Sequence, residues 1–448
     1  MYKSLNLHNR PYKVITAIGN NDRDLPETAR QAKYDKMLAS PYGFYRGTNY
    51  LFWEDFYNDW RLSLFGGTPF TQTWLQGDAH IYNLGAFANH YGEVIYGLDD
   101  FDDGIVGDYQ YDLWRMAISI VLDGRENKNL DEKDIAKAVK EFAKSYLATI
   151  THYTPDEDNR EIHFTKDNTS GMLQEFLEKV EKKESRQKML EKWTTFDERG
   201  CRVFDCDLQK LTAVTTETES SFYEALDTYR QTICTYKAYE EDSHFQIKDV
   251  AKRLYAGTGS LGTPRYYVLI EGDEATAHDD IILDVKKQAR PAAYQQMNAE
   301  EQEAYHRVFL HEGMRHATAF QAIAEHPDSY LGWMNLPDGV YSVRERSPFK
   351  EDFPTHKIKK GKQLREVASQ WGTILATEHK RGGQTLNADG DTFLLEKAIK
   401  ERTQTVSKKF VRFVVEVAFQ YADCVAADYQ TFVDFVGTDA QGTSSTIG

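Results

Sequence analysis

The sequence predicts an α+β fold of two unequal parts, a small antiparallel-sheet lobe and a larger helical one. Three observations carry this. Short runs rich in aliphatic and aromatic residues, such as Tyr266 to Ile270 and Val340 to Val343, read as strands. Helical spacing of apolar residues dominates 112–150 and the stretch after Thr355, which holds no proline. A glycine-rich segment near residue 260 joins strand to strand rather than strand to helix.

Length and composition narrow the function. The chain has 448 residues, enough for two or three structural units with a sizeable core. Its net charge of -16 argues against nucleic acid as the main partner, while a nucleotide needs only a local basic patch. Cys201, Cys206, Cys234 and Cys424 are too few and scattered for a disulfide framework, and Cys201-x4-Cys206 lacks the second pair of a zinc site. No apolar run approaches a membrane span and no signal-peptide core is visible, so the expected compartment is the cytoplasm, away from membranes.

In chain order, residues 1–32 read as an irregular lead-in, followed by a helix over Ala32 to Ala39 ended by Ser40-Pro41. The aromatic stretch PYGFYRGTNYLFWEDFYNDW buries a face around Arg46. That arginine either grips a phosphate or carboxylate, or ties a loop to a helix end. Glu93 to Leu98 alternates as a strand, and Asp112 to Leu122 reads as a buried helix; Asp112 either caps it alone or also braces the catalytic loop from beneath, capping being preferred. A second helix follows Asp131, with Ile135, Val139, Phe142 and Tyr146 on one face. Residues 151–250 carry no recognisable chemistry beyond an amphipathic helix near Met172 to Val180 and a Thr-rich break at Leu211 to Thr218. Ala299 to Ile323 is helical, as are Leu364 to His379 and most of Phe393 to Phe435. Gly437 to Gly448 reads as a disordered tail.

The chemistry concentrates in Gln76 to Asp112. Asp78 is followed five positions later by Asn83, and the strand ending at Leu98 delivers Asp100 to an exposed end. A base for an attacking hydroxyl, an amide oxygen and a second carboxylate for hard cations are what magnesium-assisted phosphoryl transfer requires. Gly257, Gly259 and Gly262, with Ser260 between them, make GxGxxG. Between two strands this is either a flap whose N–H groups cover phosphates or an unliganded hairpin. Lys286 ends the next strand at the distance expected of a phosphate-pairing lysine, and adjacent Lys287 points to the opposite face. Glu312 and Glu303 are candidate acidic partners for it. Arg344, with Arg346 and Lys350, either lines the nucleotide cleft or is a solvated strand exit.

At MLASPYGFYRG, GDAHIYNLG, LDDFDDGIVGDYQYDLWRM, GTGSLGTPRYYVLIEG, ILDVK, YSVRERSPFK, GTILATEH and FQYADCVAADY the chain resembles a bacterial family known only as a domain of unknown function, grouped with the protein-kinase-like superfamily. The core block is also similar to the aminoglycoside and choline kinase pattern, with Asp78, Asn83, Asp100 and Asp112 at matching intervals. In ordinary kinases the glycine flap precedes the catalytic Asp, whereas here it follows. The resemblance therefore implies a circularly permuted kinase-like fold, with ATP and Mg2+ as cofactors. The expected units are a catalytic-loop part (1–125), a helical connection (126–245), a β-rich nucleotide-binding lobe (246–350), a C-terminal helical part (351–436) and a tail (437–448). The expected activity is phosphoryl transfer to a hydroxyl of a small molecule, in preference to a protein acceptor. Rival readings are transfer of AMP to a protein, a non-catalytic nucleotide-binding pseudokinase, and a metal-dependent hydrolase using Asp99, Asp100, Asp102 and Asp103.

Overall fold

The computed structural model describes residues 9–153, 162–233, 242–254, 262–272, 278–324 and 327–442. It is a mixed α+β protein with small antiparallel sheets. Among the described residues the largest sheet has six strands, in the order Gly332–Leu336, Gly339–Glu345, Ile281–Lys287, Arg265–Ile270, Ile247–Arg253, Leu211–Ala213. Alternation places successive residues on opposite faces. Val268, Ile270, Leu283 and Val285 pack with Phe222 and Tyr229 of the Thr216–Arg230 helix. Tyr267, Leu269 and Ile282 pack with Leu190 and Trp193 of the Arg186–Trp193 helix. The stretch that carried no chemistry in the sequence thus supplies both covers of this sheet, and its Thr-rich break contributes an edge strand.

The helical body is built on Glu132–His152, Gly361–Leu386, Gln110–Glu126 and Ser407–Gly442. Asp131 caps the first of these, its side chain accepting from Asp134 N at 2.8 Å. The first two lie so close that a Cβ on Gly372 would stand 2.3 Å from the Phe142 carbonyl oxygen. Two small sheets sit against this body. In one, Gln72–Leu75 pairs with Ile105–Asp108; in the other, Leu84–Ala88 pairs with Val94–Leu98. Both pairings set the loops of the Gln76 to Asp112 region side by side.

Several expectations are corrected. The lead-in is not irregular: Arg10–Asn21 and Glu27–Leu38 are helices, with Val14, Ile18 and Met37 fully buried. The second of these ends at Leu38, just before Ser40-Pro41 as expected, and Ser40 also caps the next helix, Pro41–Gly47, accepting from Gly43 N at 3.0 Å. The helix expected over Ala299 to Ile323 breaks between Ala299–Val308 and Glu312–Ile323. The final helix continues to Gly442, past the start of the expected tail, and 443–448 lie outside the described residues.

Glu378 fixes the second small sheet to the body. Its Oε1 accepts from Leu98 N at 3.0 Å, its Oε2 is buried with no hydrogen-bond partner among the described residues, and burial pushes the carboxyl up to about 8. The folded form therefore holds a proton that the unfolded chain releases near pH 4.5. This stabilisation is complete below that pH and is lost as pH rises through about 8. In Glu378→Gln, thermal unfolding followed from pH 5 to pH 8 should show a smaller loss of melting temperature than wild type. Gly372→Ala should cost about 1–3 kcal/mol by overpacking, read from denaturant unfolding.

Candidate functional site

A cleft of about 260 Å³ lies between the six-stranded sheet and the helical body. Asp78, Asn83, Asp100, Asp102 and Asp103 line it from the two neighbouring loops. Lys286, Lys287 and Arg290 line it from the sheet side, and Arg46, Asn49 and Tyr50 from the N-terminal helices.

The loop after Gln72–Leu75 turns at Gly77, whose φ is +78°. A Cβ there would lie 2.0 Å from the Asp103 carbonyl oxygen, so only glycine lets the two loops meet. Asp112, fully buried, accepts from Gln76 N at 2.7 Å and Gly77 N at 3.1 Å. Its Oδ2 also faces His379 Nε2 at 3.5 Å, and Tyr146 Oη meets the other ring nitrogen at 2.8 Å. The capping role expected of Asp112 is thus corrected: Tyr109 is the cap residue, and Asp112 braces the loop from inside the first turn. Trp53 Nε1 and Asn49 Nδ2 donate to the Gly77 carbonyl at 2.9 and 3.1 Å.

The facing loop is held by Arg315, a fully buried guanidinium that donates to the carbonyls of Gly104 at 2.7 Å and Asp102 at 2.6 Å. It also reaches Ala289 O at 3.1 Å, just past the strand that carries Lys286. Asp103 accepts from Ala292 N at 2.6 Å and from Asn49 Nδ2 at 2.9 Å. One arginine and one aspartate therefore hold the acidic loop against the sheet lobe.

Asp78 takes a hydrogen bond of 2.5 Å from Arg115 Nε, and the same guanidinium gives it a second contact through Nη2. Arg115 is fully buried, its guanidinium 4.3 Å from the Tyr45 ring centroid, while 19% of the Asp78 side chain stays open. Burial pushes the Asp78 carboxyl up to about 7 against the pull of Arg115; Asp103 and Asp100 add to the rise. Burial would raise Asp100 too, but Lys286, Lys350 and Arg344 outweigh it and hold this carboxyl below the usual range. Two carboxylates in one cleft are thus driven in opposite directions. Asn83 donates its amide nitrogen to Asp78 O at 3.0 Å, which leaves its amide oxygen as the acceptor. Burial, with Arg46 and Arg115 nearby, keeps His80 well below its ordinary value and so neutral.

Lys286 shares its strand face with Ile282 and Asp284 and ion-pairs with Asp102, whose other oxygen accepts from Gln288 Nε2 at 3.0 Å. Lys286 and Asp102 lie 184 positions apart. Lys287, on the other face, pairs with Asp338 at 3.2 Å. The acidic partners expected for Lys286 are corrected: Glu312 binds Arg315 and Tyr305 instead, and Glu303 faces Arg307 at the surface. Asp102 was missed because its place in the DDFDD run conceals that it faces the other lobe.

Arg344 does not line the cleft; it donates to Asp99 O at 2.6 Å and lies over Phe320. Asp99 pairs with Lys350 at 3.0 Å, also outside the cleft. Gly257, Gly259 and Ser260 lie outside the described residues, as does Cys234. Gly262 has φ +92° and sits against Ala29 and Leu25, and Thr263 beside it lines the cleft. Cys201 and Cys206 are exposed free thiols. Among the described residues, no three His, Cys, Asp or Glu side chains converge as a metal cage, and no helix is long and apolar enough to cross a membrane.

A family model described as an uncharacterised protein conserved in bacteria, DUF2252, matches residues 25–435. The chain belongs to this family. No curated protein and no solved structure matches it. The match to DUF2252 takes in both lobes and all the residues lining the cleft except one, Asn21, which lies just before the matched stretch.

Gly77→Ala should lose at least about 2 kcal/mol of stability, since it combines a positive φ with a backbone collision. Asp112→Asn should be milder, because its amide oxygen still accepts one of the two N–H groups; chemical denaturation of both variants checks the order.

Proposed function

We propose that this DUF2252 protein is an ATP- and magnesium-dependent phosphotransferase acting on a hydroxyl of a small molecule, with a circularly permuted protein-kinase-like arrangement. The observation that carries this reading is the convergence of Asp78, Asn83, Asp100 and Lys286 on one cleft, from segments about 200 residues apart in sequence. Positioning and charge stabilisation do most of the work in phosphoryl transfer, and the cleft offers both.

In this reading Asp78 accepts the proton of the acceptor hydroxyl as that oxygen bonds to the γ-phosphorus and the bond to ADP breaks. Arg115 holds the Asp78 carboxylate in place. Lys286 neutralises phosphate oxygens, and Asp102 orients it as a glutamate does in kinases. The donor set fits magnesium: one depressed carboxylate, Asp100, and one amide oxygen, Asn83, are what an ion completed by phosphates and water asks of a protein. Bound there, magnesium would neutralise charge on the phosphates. Three of the four aspartates of the hydrolase reading have separate partners, Asp99 with Lys350, Asp102 with Lys286 and Asp103 with Ala292 N, which weakens that reading.

A metabolite extract incubated with γ-labelled ATP and magnesium should yield a labelled small molecule. Asp100→Ala should reduce that transfer by about two orders of magnitude or more. Undiminished transfer by this variant would sink the assignment, and label passing to protein only from α-labelled ATP would favour nucleotidyl transfer. Because Asp78 must be ionised to act, the rate should climb about tenfold per pH unit below about 7 and level off above it. Asp78→Asn should remove both the rate and its pH dependence.

A further inference from the structure

The cleft has cations at two ends, and they have different company. Lys286 stands with Asp102 and Asp100 at the sheet side. Arg46 stands at the opposite wall, 5.4 Å from the Tyr82 ring centroid. Tyr82 in turn touches Tyr42 at 5.5 Å between centroids, and Tyr42 lies 6.2 Å from the His80 ring. His80 Nε2 is 3.9 Å from Asp78 Oδ2. Arg46 is thus separated from Asp78 by the neutral His80 and its aromatic neighbours. The Arg46 Nε is buried and has no hydrogen-bond partner, and no carboxylate lies within ion-pair distance of its guanidinium among the described residues.

A half-buried guanidinium with no ion pair among the described residues, on which Asp352 acts only at longer range, is open to an anionic partner. The same wall holds further open valences. Asn49 Oδ1, Tyr50 Oη and His80 Nδ1 are buried, line the cleft through their residues, and have no hydrogen-bond partner among the described residues. An amide oxygen, a phenol and a neutral imidazole nitrogen match hydroxyl groups.

We propose that this wall is the acceptor subsite and that the acceptor is a hydroxyl compound carrying an anionic group, a phosphate or a carboxylate, received by Arg46. The proposal rests on the phosphotransferase reading for its hydroxyl at Asp78, but the anion site itself stands on Arg46 and its surroundings. It assigns Arg46 to the acceptor, and Lys286 remains the cation for the triphosphate.

The test uses the full chain with magnesium and a saturating non-hydrolysable ATP analogue, and inorganic phosphate as the probe. Phosphorus NMR reads both ligands in one spectrum. The expected result is broadening of the inorganic phosphate line with the analogue present, at least tenfold weaker phosphate binding in Arg46→Ala, and unchanged broadening of the analogue. Arg46→Lys keeps the charge but not the planar fork, and should weaken phosphate several-fold; it serves as the reading if the alanine variant does not fold. Added acetate displacing the phosphate identifies a carboxylate site, and failure to displace identifies a phosphate site. The proposal is overturned if phosphate does not bind beside the analogue, if Arg46→Ala leaves its binding intact, or if that variant weakens the analogue as much as the phosphate. Phosphate bound through Arg46 with no analogue binding at all would leave the anion site standing and remove the kinase reading instead.

Discussion

The cleft depends on one close approach of two backbones, at Gly77 and Asp103. Neither loop has room for a side chain between them, and each is held from behind. Asp112 takes two successive N–H groups of the first loop, while Trp53 and Asn49 take its carbonyl. Arg315 takes the carbonyls of the second. All of these partners are buried, where a lost hydrogen bond leaves an unsatisfied polar group rather than a water-bonded one. The positions of Asp78, Asn83 and Asp100 follow from that clamp, since all three lie within a few residues of it.

The clamp also sets the charges. Asp78 and Asp100 are near enough to feel each other, yet their surroundings separate them. Asp78 has one cation, Arg115, against burial and two neighbouring carboxylates. Asp100 has Lys286, Lys350, Arg344 and His316 around it. A carboxyl held near neutrality suits proton transfer, and one held ionised suits a cation. Such a division between like groups needs cations brought from outside the acidic loop, as Lys286 and Lys350 are. It would not arise from the acidic loop alone.

Much of this was legible in the sequence, and what was not has physical reasons. The strands at Arg265–Ile270 and Ile281–Lys287 are apolar runs whose alternate residues are buried on both faces, and their register correctly separates Lys286 from Lys287. The interval from Asp78 to Asn83 reports a local loop, so it survives in a one-dimensional reading. Arg115 and Arg315 were not found, nor Asp102 as the partner of Lys286, because the groups they hold across the cleft lie 37 positions or more away and each looks like an ordinary helix or loop charge. The Arg10–Asn21 helix was read as irregular because its segment is polar overall, although Val14 and Ile18 share a face, and the pairing of Arg10 that also holds it reaches across the whole chain.

That pairing bears on the order of the chain. Arg10 is buried and bonds Asp428 at 2.6 Å and Asp55 at 2.7 Å, and Tyr421 Oη reaches Asp55 at 2.9 Å. The first described helix therefore lies against the last, 418 positions away. When the beginning and end of a fold are neighbours, joining them and opening the chain elsewhere leaves the packing intact. A kinase-like arrangement in which the acidic loop precedes the lysine strand requires that neighbourhood. A chain whose ends lay at opposite poles would have had to thread a new connection through its core. The Arg10–Asp428 contact meets that condition, one that many domains with unpermuted chains meet as well.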